Sequence, residues 1–498
     1  MKLKVKVMDV EQGQQEIVLN QELSHEMCLE TGERVIVKYN GNEITCIIDE
    51  SRRISKNTII LYHESAQKLN VKTGQMVDIR PAIKPAGIDY IKKKIRNESL
   101  NRMEITEIIA NVLEEKLSNA ELSAFITSIE INGMSPEETL YLTEEIYNSG
   151  EHMEWNSEKT VSIHSVGGVS GDRITMLATP ILATLGYTVP KTATRAISSA
   201  SGTIDAMEVL CNVTLNKKQI MEVIKKTKGC VAWGGAVNLA IADDKLIKIR
   251  NPLQLDPQPL VLSSIMAKKK AEGAKHVLID VPFGRGAKIL DLKNAEIISK
   301  SFRELGKGLG INTIVTLTDG SKPVLNEIGP SFEAKAVLEI LEGKRKDKLY
   351  EKAVEMTAIL YSNVEKISLE KAKQIIVQTI TSGKALKKFQ DIIIAQGGKI
   401  ITSASIKHAK IKRIIKSTEH GIVSHLDNKN IARIARALGA PGDKQAGLII
   451  KVATNQRITP GTELYEIYAN SQENINEALR LMNDYRIIEL QRLVYSIE

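Results

Sequence analysis

The stretch from Thr160 to Glu208 constrains the fold of this chain more than any other. A short run of β-favouring alternation, Val161, Ile163 and Ser165, gives way to Gly167 and Gly168 and then to the helical spacing of Leu177, Ile181, Leu182 and Leu185. The order is strand, glycine loop, helix. N–H groups at a helix start lack intrahelical partners and the helix dipole adds partial positive charge there, so this loop suits an anion such as phosphate. Gly186 closes the helix, as glycine does where the chain must turn left-handed. A second loop, Lys191 to Thr203, carries Thr192, Thr194, Arg195, Ser198, Ser199, Ser201 and Gly202. Hydroxyls, an arginine and open backbone in one short loop suit a second phosphate or a sugar. Taken singly, each loop also reads as a plain tight turn.

At 498 residues the chain is too long for one ordinary core, and about three domains are expected. Apolar residues make up 43% and charged residues 26%, so most of it folds. The net charge of +8, from 68 basic and 60 acidic residues, fits an anionic small molecule but equally a solvated surface. Aromatics at 4%, with no basic run interleaved with them, argue against nucleic-acid binding. Cys28, Cys46, Cys211 and Cys230 form no metal-like spacing and read as reduced cytosolic thiols. The charged/apolar alternation from Lys2 to Val7 suits a strand and not a signal peptide, and no apolar run approaches the ~20 residues a membrane span needs. These observations place the protein in the cytoplasm.

From Met1 to about Ile83 the signals are short strands. Val35–Tyr39 and Ile44–Ile48 flank Asn40-Gly41, which supplies the positive φ of a tight hairpin turn, and Met76–Ile79 forms a further strand. Helices follow: Ile105, Ile108, Ile109, Val112 and Leu113 share one face, and Ser118 with Glu121 and Ser135 with Glu138 have capping-box spacing. Beyond the two loops, Val213–Leu215, Cys230–Trp233, His276–Phe283 and Thr313–Thr318 read as strands, alternating with helices at Gln219–Lys228 and Ala295–Leu309. That alternation predicts an α/β domain with a largely parallel sheet, whose functional loops sit at the carboxyl ends of strands. Helical patterning at Ala240–Ala271 interrupts it, and from about Glu419 a last module reads as strand, turn at Pro460-Gly461, strand. The expected division is a β-rich domain at 1–84, a helical domain at 85–157, an α/β domain at 158–239 and 273–418, and a C-terminal α+β module at 419–498.

HSVGGVSGD followed by PKTATRAISSASGTIDAMEVL resembles the signature of the pyrimidine nucleoside and thymidine phosphorylase family, with the nearest likeness to its long archaeal-type AMP phosphorylase branch. The resemblance spans nearly the whole chain. It implies that about 240–272 returns to the helical domain, so that the active site lies in a cleft between two domains, and that the C-terminal module supports a homodimer or larger homo-oligomer. An extra N-terminal domain of this size marks the nucleotide branch. The implied partners are AMP and inorganic phosphate, with no metal and no organic cofactor.

The family's reaction needs an anion site for attacking phosphate, donors for the nucleotide and an acid for the leaving base. By resemblance the acid is Asp256, in NPLQLDPQP, whose apolar neighbours predict a desolvated carboxyl with a raised pKa. Ser264 and, on the base side, Arg250 and Lys268 resemble base contacts. Nucleotide positions are Gly168, Thr194, Arg195, Ala196, Ile197, Ser198, Ser199, Thr203 and Lys288, with Arg195 the natural partner of a 5′-phosphate. Ser165 faces the attacking phosphate. Two positions depart from the family: Ile163 replaces a lysine and Ala193 a serine, both on the phosphate side. Together they are worth about 3 to 4 kcal/mol, or on the order of a few hundredfold in phosphate affinity. Lys191 and Arg173 are the cations that would substitute, and the sequence does not choose between them. The leading expectation is AMP phosphorolysis. The alternatives are a nucleoside phosphorylase of the thymidine type and a nucleotide-binding paralogue with weakened turnover.

Overall fold

The computed structural model describes residues 1–196 and 199–491, in two compact units: Met1–Gly150 with Ala240–Ile265, and Glu151–Leu239 with the chain from Met266 onward. The first unit has six strands, of which the first and last alternate with period two: β1 (Lys2–Met8), β2 (Glu16–Asn20), β3 (Arg34–Tyr39), β4 (Asn42–Ser51), β5 (Thr58–Tyr62) and β6 (Met76–Pro81). They close into a barrel in the order β1-β5-β2-β4-β3-β6, with β1/β5 and β2/β4 parallel. Closure leaves no open edge and buries Leu3, Val5, Val35, Val37, Val77 and Ile79. Asn40 and Gly41 make the β3–β4 turn with φ of 47° and 88°.

Helices Gly87–Ile95, Arg102–Leu113, Asn119–Asn132 and Pro136–Asn148 follow the barrel, and helix Ile241–Leu253 packs on this group. The Ser118/Glu121 and Ser135/Glu138 capping boxes are both formed, and Asn101/Glu104 makes another. Arg34 of the barrel donates to Lys116 O at 2.8 Å and pairs with Glu121, tying barrel to helices.

The second unit contains β7 (Val161–Ser165), β8 (Val189–Ala193), β9 (Gly229–Trp233), β10 (His276–Phe283) and β11 (Asn312–Asp319). β11-β10-β7 is one parallel sheet and β8-β9 another; the bridge from Thr160 to Thr188 joins them. Val277–Val281 of β10 is buried along its length, as expected of a parallel strand covered on both faces. Val213–Leu215 is not a strand. Leu215 N–H turns back to Val213 O at 3.1 Å, and Val213 O also accepts from Trp233 N, so the segment is a turn beside β9.

Helices Pro330–Leu341, Lys348–Glu365, Leu369–Thr381 and Lys384–Ala395 pack on the same core. The C-terminal part is α+β: β12 (Glu327–Ile328), β13 (Ile411–Lys416), β14 (Gly421–Leu426), β15 (Gly447–Ile450), β16 (Arg457–Ile458), β17 (Glu463–Ala469) and β18 (Ile488–Gln491). They form two antiparallel sheets, β12-β15-β17-β13 and β16-β14-β18, so the strands flanking Pro460-Gly461 belong to different sheets. Among the described residues no helix is long and apolar enough to cross a membrane.

Candidate active site

Both glycine- and hydroxyl-rich loops sit at the carboxyl ends of β7 and β8 and face each other. A Cβ placed on Gly168 would lie 3.8 Å from Ser199 Cβ, so the two loops are in van der Waals reach. Gly167, at φ +86°, passes under the stem of Lys288: a Cβ there would come within 2.9 Å of Lys288 Cβ. Lys288 is thereby brought to the first loop. Ser165 Oγ lies 3.3 Å from Asp280 Oδ2, and Thr203 Oγ1 lies 3.3 Å from Thr175 Oγ1 on the helix Ile174–Thr184. Ser199 donates to Ser201 O at 3.1 Å and Thr194 is exposed. Ile197 and Ser198 lie outside the described residues.

The second loop has an internal carboxylate. Asp205 Oδ2 accepts from Ala196 N and Gly202 N, each at 2.9 Å, so these N–H groups hold a side chain of the protein itself. Arg195 donates to Glu208 through both terminal nitrogens, at 2.5 and 2.6 Å, and its guanidinium carbon lies 5.1 Å from the Trp233 ring centroid. Arg195, with Lys444 assisting, holds the Glu208 carboxyl down at about 2. A bidentate partner for Arg195 within its own loop and helix was not legible in the sequence.

Buried charges lie behind the loops. Arg173 is bound to Glu333 at 2.5 Å, to Ser201 O at 2.6 Å and to Asp172 O, which fixes it as a structural brace. Of the two cations in question, Arg173 is therefore committed elsewhere. Lys352 donates to Asp172 and Asp280 at 2.8 Å each; burial opposes its charge, and the two carboxylates outweigh burial and raise its pKa. Lys191 is buried, with Nζ 2.9 Å from Ile163 O. Nearby Lys269 pairs with Glu272, whose carboxylate also accepts from Ser162 Oγ and from Thr192. Burial, reinforced by Lys191, Lys269 and Lys268, holds the His164 imidazole well below its ordinary pKa, so it stands neutral. Lys268 is thus within electrostatic reach of His164.

Three further positions belong to the first unit. Asp256 follows the left-handed Gln254 that ends helix Ile241–Leu253, and Arg250 Nη1 donates to its Oδ1 at 3.1 Å. The expected desolvation is not found: the Asp256 side chain is 49% exposed, because the Gln254 turn carries it out of the apolar packing of its neighbours. Arg250 is buried, and its Nε has no hydrogen-bond partner among the described residues. A buried unpaired donor is costly and uncommon, so this nitrogen is suited to an acceptor from a ligand. Ser264 donates to the buried Asp243 at 2.6 Å. No grouping of histidine, cysteine and acidic residues among the described residues fits a metal ion.

Residues 88–150 match a glycosyl transferase family helical bundle domain, 157–386 a glycosyl transferase family a/b domain, and 422–489 a pyrimidine nucleoside phosphorylase C-terminal domain. Over 96% of its length the chain is 39% identical to the AMP phosphorylase of Methanocaldococcus jannaschii, covering 95% of that protein. It is 37% identical to AMP phosphorylase 1 of Archaeoglobus fulgidus over 97% of the chain and 96% of that protein. The chain belongs to the AMP phosphorylase family. Another relative in this family, from Pyrococcus furiosus, is 36% identical across 100% of the chain and 99% of its own length. Among solved structures, the anthranilate phosphoribosyltransferase of Thermus thermophilus superposes with a TM-score of 0.54 at 16% identity, covering 62% of this chain and 100% of that one, which shows a shared fold.

Proposed function

We propose that the chain catalyses phosphorolysis of AMP, and of other nucleoside 5′-monophosphates, to free base and ribose 1,5-bisphosphate. Phosphate oxygen attacks C1′ as the C1′–N bond breaks; the bonding pair leaves with the base, and Asp256 delivers a proton to it. Asp256 regains its proton from solvent, which its exposure permits. Arg250 fixes the acid through Nη1 and offers Nε to the base, with Ser264 and Lys268 beside it in role. Gly168, Thr194 to Ser199, Thr203 and Lys288 hold the nucleotide, and Ser165 faces the attacking phosphate. Arg195 reaches a 5′-phosphate by exchanging it for Glu208. The working form is a homodimer or larger homo-oligomer, a reading supported by the family likeness, and it is cytoplasmic, which the free Cys28, Cys46, Cys211 and Cys230 fit.

The observation that carries the nucleotide reading over a nucleoside one is the span of the likeness. It runs through the N-terminal barrel, ahead of residue 88 where the matched helical bundle domain begins. A second reading, a nucleotide-binding paralogue with weak turnover, draws on Ile163 and Ala193 and on the engagement of Arg195 by Glu208. The test is release of adenine from AMP across a wide range of phosphate, with thymidine as competitor. Saturable, phosphate-dependent release from AMP supports phosphorolysis; AMP binding without release supports the paralogue.

A further inference from the structure

β7 and β8 run side by side and are joined at Thr160 and Thr188, where Val161 N meets Thr188 O at 2.9 Å and Thr188 N meets Lys159 O at 3.0 Å. Beyond that point no ladder bond joins them among the described residues, and the Ile163 carbonyl on β7 takes a donor from Lys191 Nζ on β8 instead. Around this ammonium the charge does not balance. Lys191, Lys269 and Glu272 are 4%, 1% and 0% exposed, and Glu272 is already doubly bonded by Lys269 at 2.7 and 2.8 Å. With Lys191 protonated, two cations would share one carboxylate, a surplus of positive charge that is costly in a buried site unless an anion lies near.

That surplus lies under the two loops. Ile163 and Lys191 are each two residues from the carboxyl ends of β7 and β8, whose last residues are Ser165 and Ala193. Position 163 is where the resembling family carries a lysine. The cation absent from the strand's own side chain is therefore present on the neighbouring strand, bonded to the backbone of that same residue. Satisfying the Ile163 carbonyl requires only an N–H, which a neutral amine also has, so the geometry leaves Lys191 able to gain or lose its proton.

We propose that Lys191 supplies the charge that Ile163 lacks, taking up a proton as the phosphate dianion enters the loops, so that anion binding and protonation of Lys191 are coupled. This rests on the phosphorolysis reading and makes Lys191 a positioning residue of the phosphate site. Burial, then the like charge of Lys269, push Lys191 down to about 7 against the opposing pull of Glu272, which puts its titration where coupling has consequences. A further titratable group that Lys191 acts on is His164, held neutral, and the charge of Lys268 acts on the same imidazole.

The test uses the full chain and sulfate, which keeps its two charges throughout the range, titrated calorimetrically between pH 6 and 9 in two buffers of different ionisation enthalpy. The wild type should take up a proton on binding above about pH 7, with affinity falling by up to about tenfold per pH unit. Lys191→Met should bind sulfate at least about tenfold more weakly at pH 6, with a flat pH profile and no uptake. His164→Gln should retain the uptake, which separates the two groups. A wild type that binds sulfate with no proton uptake overturns the proposal even if Lys191→Met fails to fold, and so does an unchanged profile in a folded Lys191→Met. Phosphate-dependent adenine release with pH-independent sulfate binding would remove the role of Lys191 and leave phosphorolysis standing. Sulfate binding with uptake but no release would remove phosphorolysis and leave a proton-coupled anion site.

Discussion

Asp256 and Arg250 form the pair on which the proposed chemistry turns, with Asp256 assigned to catalysis more than to binding. Arg250 is buried and reaches Asp256 Oδ1 with one nitrogen, and an amide oxygen at that position can still accept this bond. Asp256→Asn should lower the rate of adenine release by about 10² to 10⁴, the range of a lost general acid, with AMP affinity changed only a few-fold. Single-turnover release with parallel calorimetry checks this, and near-normal release would exclude Asp256 as the acid. Glu208 offers a pH signature. Its carboxyl, held by Arg195 and Lys444, titrates at about 2 when folded, against roughly 4.3 when unfolded. Its stabilisation is therefore present above the unfolded value and lost as pH falls towards 2, because there the unfolded chain binds the extra proton. Urea midpoints of wild type and Glu208→Gln should differ at pH 6 and converge near pH 2; a gap that stays constant would mean that the pairing contributes nothing.

Elements show how far the sequence speaks. Asn40-Gly41, the Ser118 and Ser135 capping boxes and the strand-loop-helix order at 160–185 are legible because each is decided by residues within four positions of one another. The places of the two loops, at the ends of β7 and β8, are legible for the same reason. Barrel closure through the parallel β1/β5 pair is not, since Val5 and Ile59 are far apart in sequence and no local pattern names the partner. The Lys269–Glu272 pair is hidden for a different reason: Lys268, Lys269 and Lys270 read as a solvated basic face, yet the middle one is buried with Glu272 where Ser162 of β7 and Thr192 of β8 bond to the pair. This burial has a measurable consequence. Glu272→Leu leaves Lys269 without its counter-ion and Thr192 N–H without an acceptor, which should cost about 3 to 5 kcal/mol. Adding Lys269→Met removes the stranded charge and should restore at least half of the loss, read from urea transitions of the two variants. Additive losses in the double variant would mean that the pair is not coupled.

At the scale of the whole molecule the chain is two units, and the first contains a barrel with a core of its own. Leu3, Val5, Ile17, Leu19, Val35, Val37, Ile48, Ile59, Leu61, Val77 and Ile79 pack with one another, each at most 2% exposed. The strands end at Pro81, and Ile83 after them is 94% exposed, so the chain leaves the barrel into solvent before the helices begin. Arg34 is a buried ion of the barrel wall that depends on the helices, through Lys116 O and Glu121, and in isolation it would be hydrated. A domain of about 60 residues or more can bury enough surface to fold alone, and a closed barrel has no unpaired edge to aggregate. Residues 1–84 expressed by themselves should therefore give dispersed amide resonances and one cooperative thermal transition, at a lower temperature than in the full chain because the Arg34 contacts are absent. Replacing Arg34 by Gln should narrow that difference, since it removes from the full chain the contacts that the fragment lacks. A fragment without dispersion or a transition would show that the barrel depends on the helices for its fold, and that the first unit is a single cooperative body.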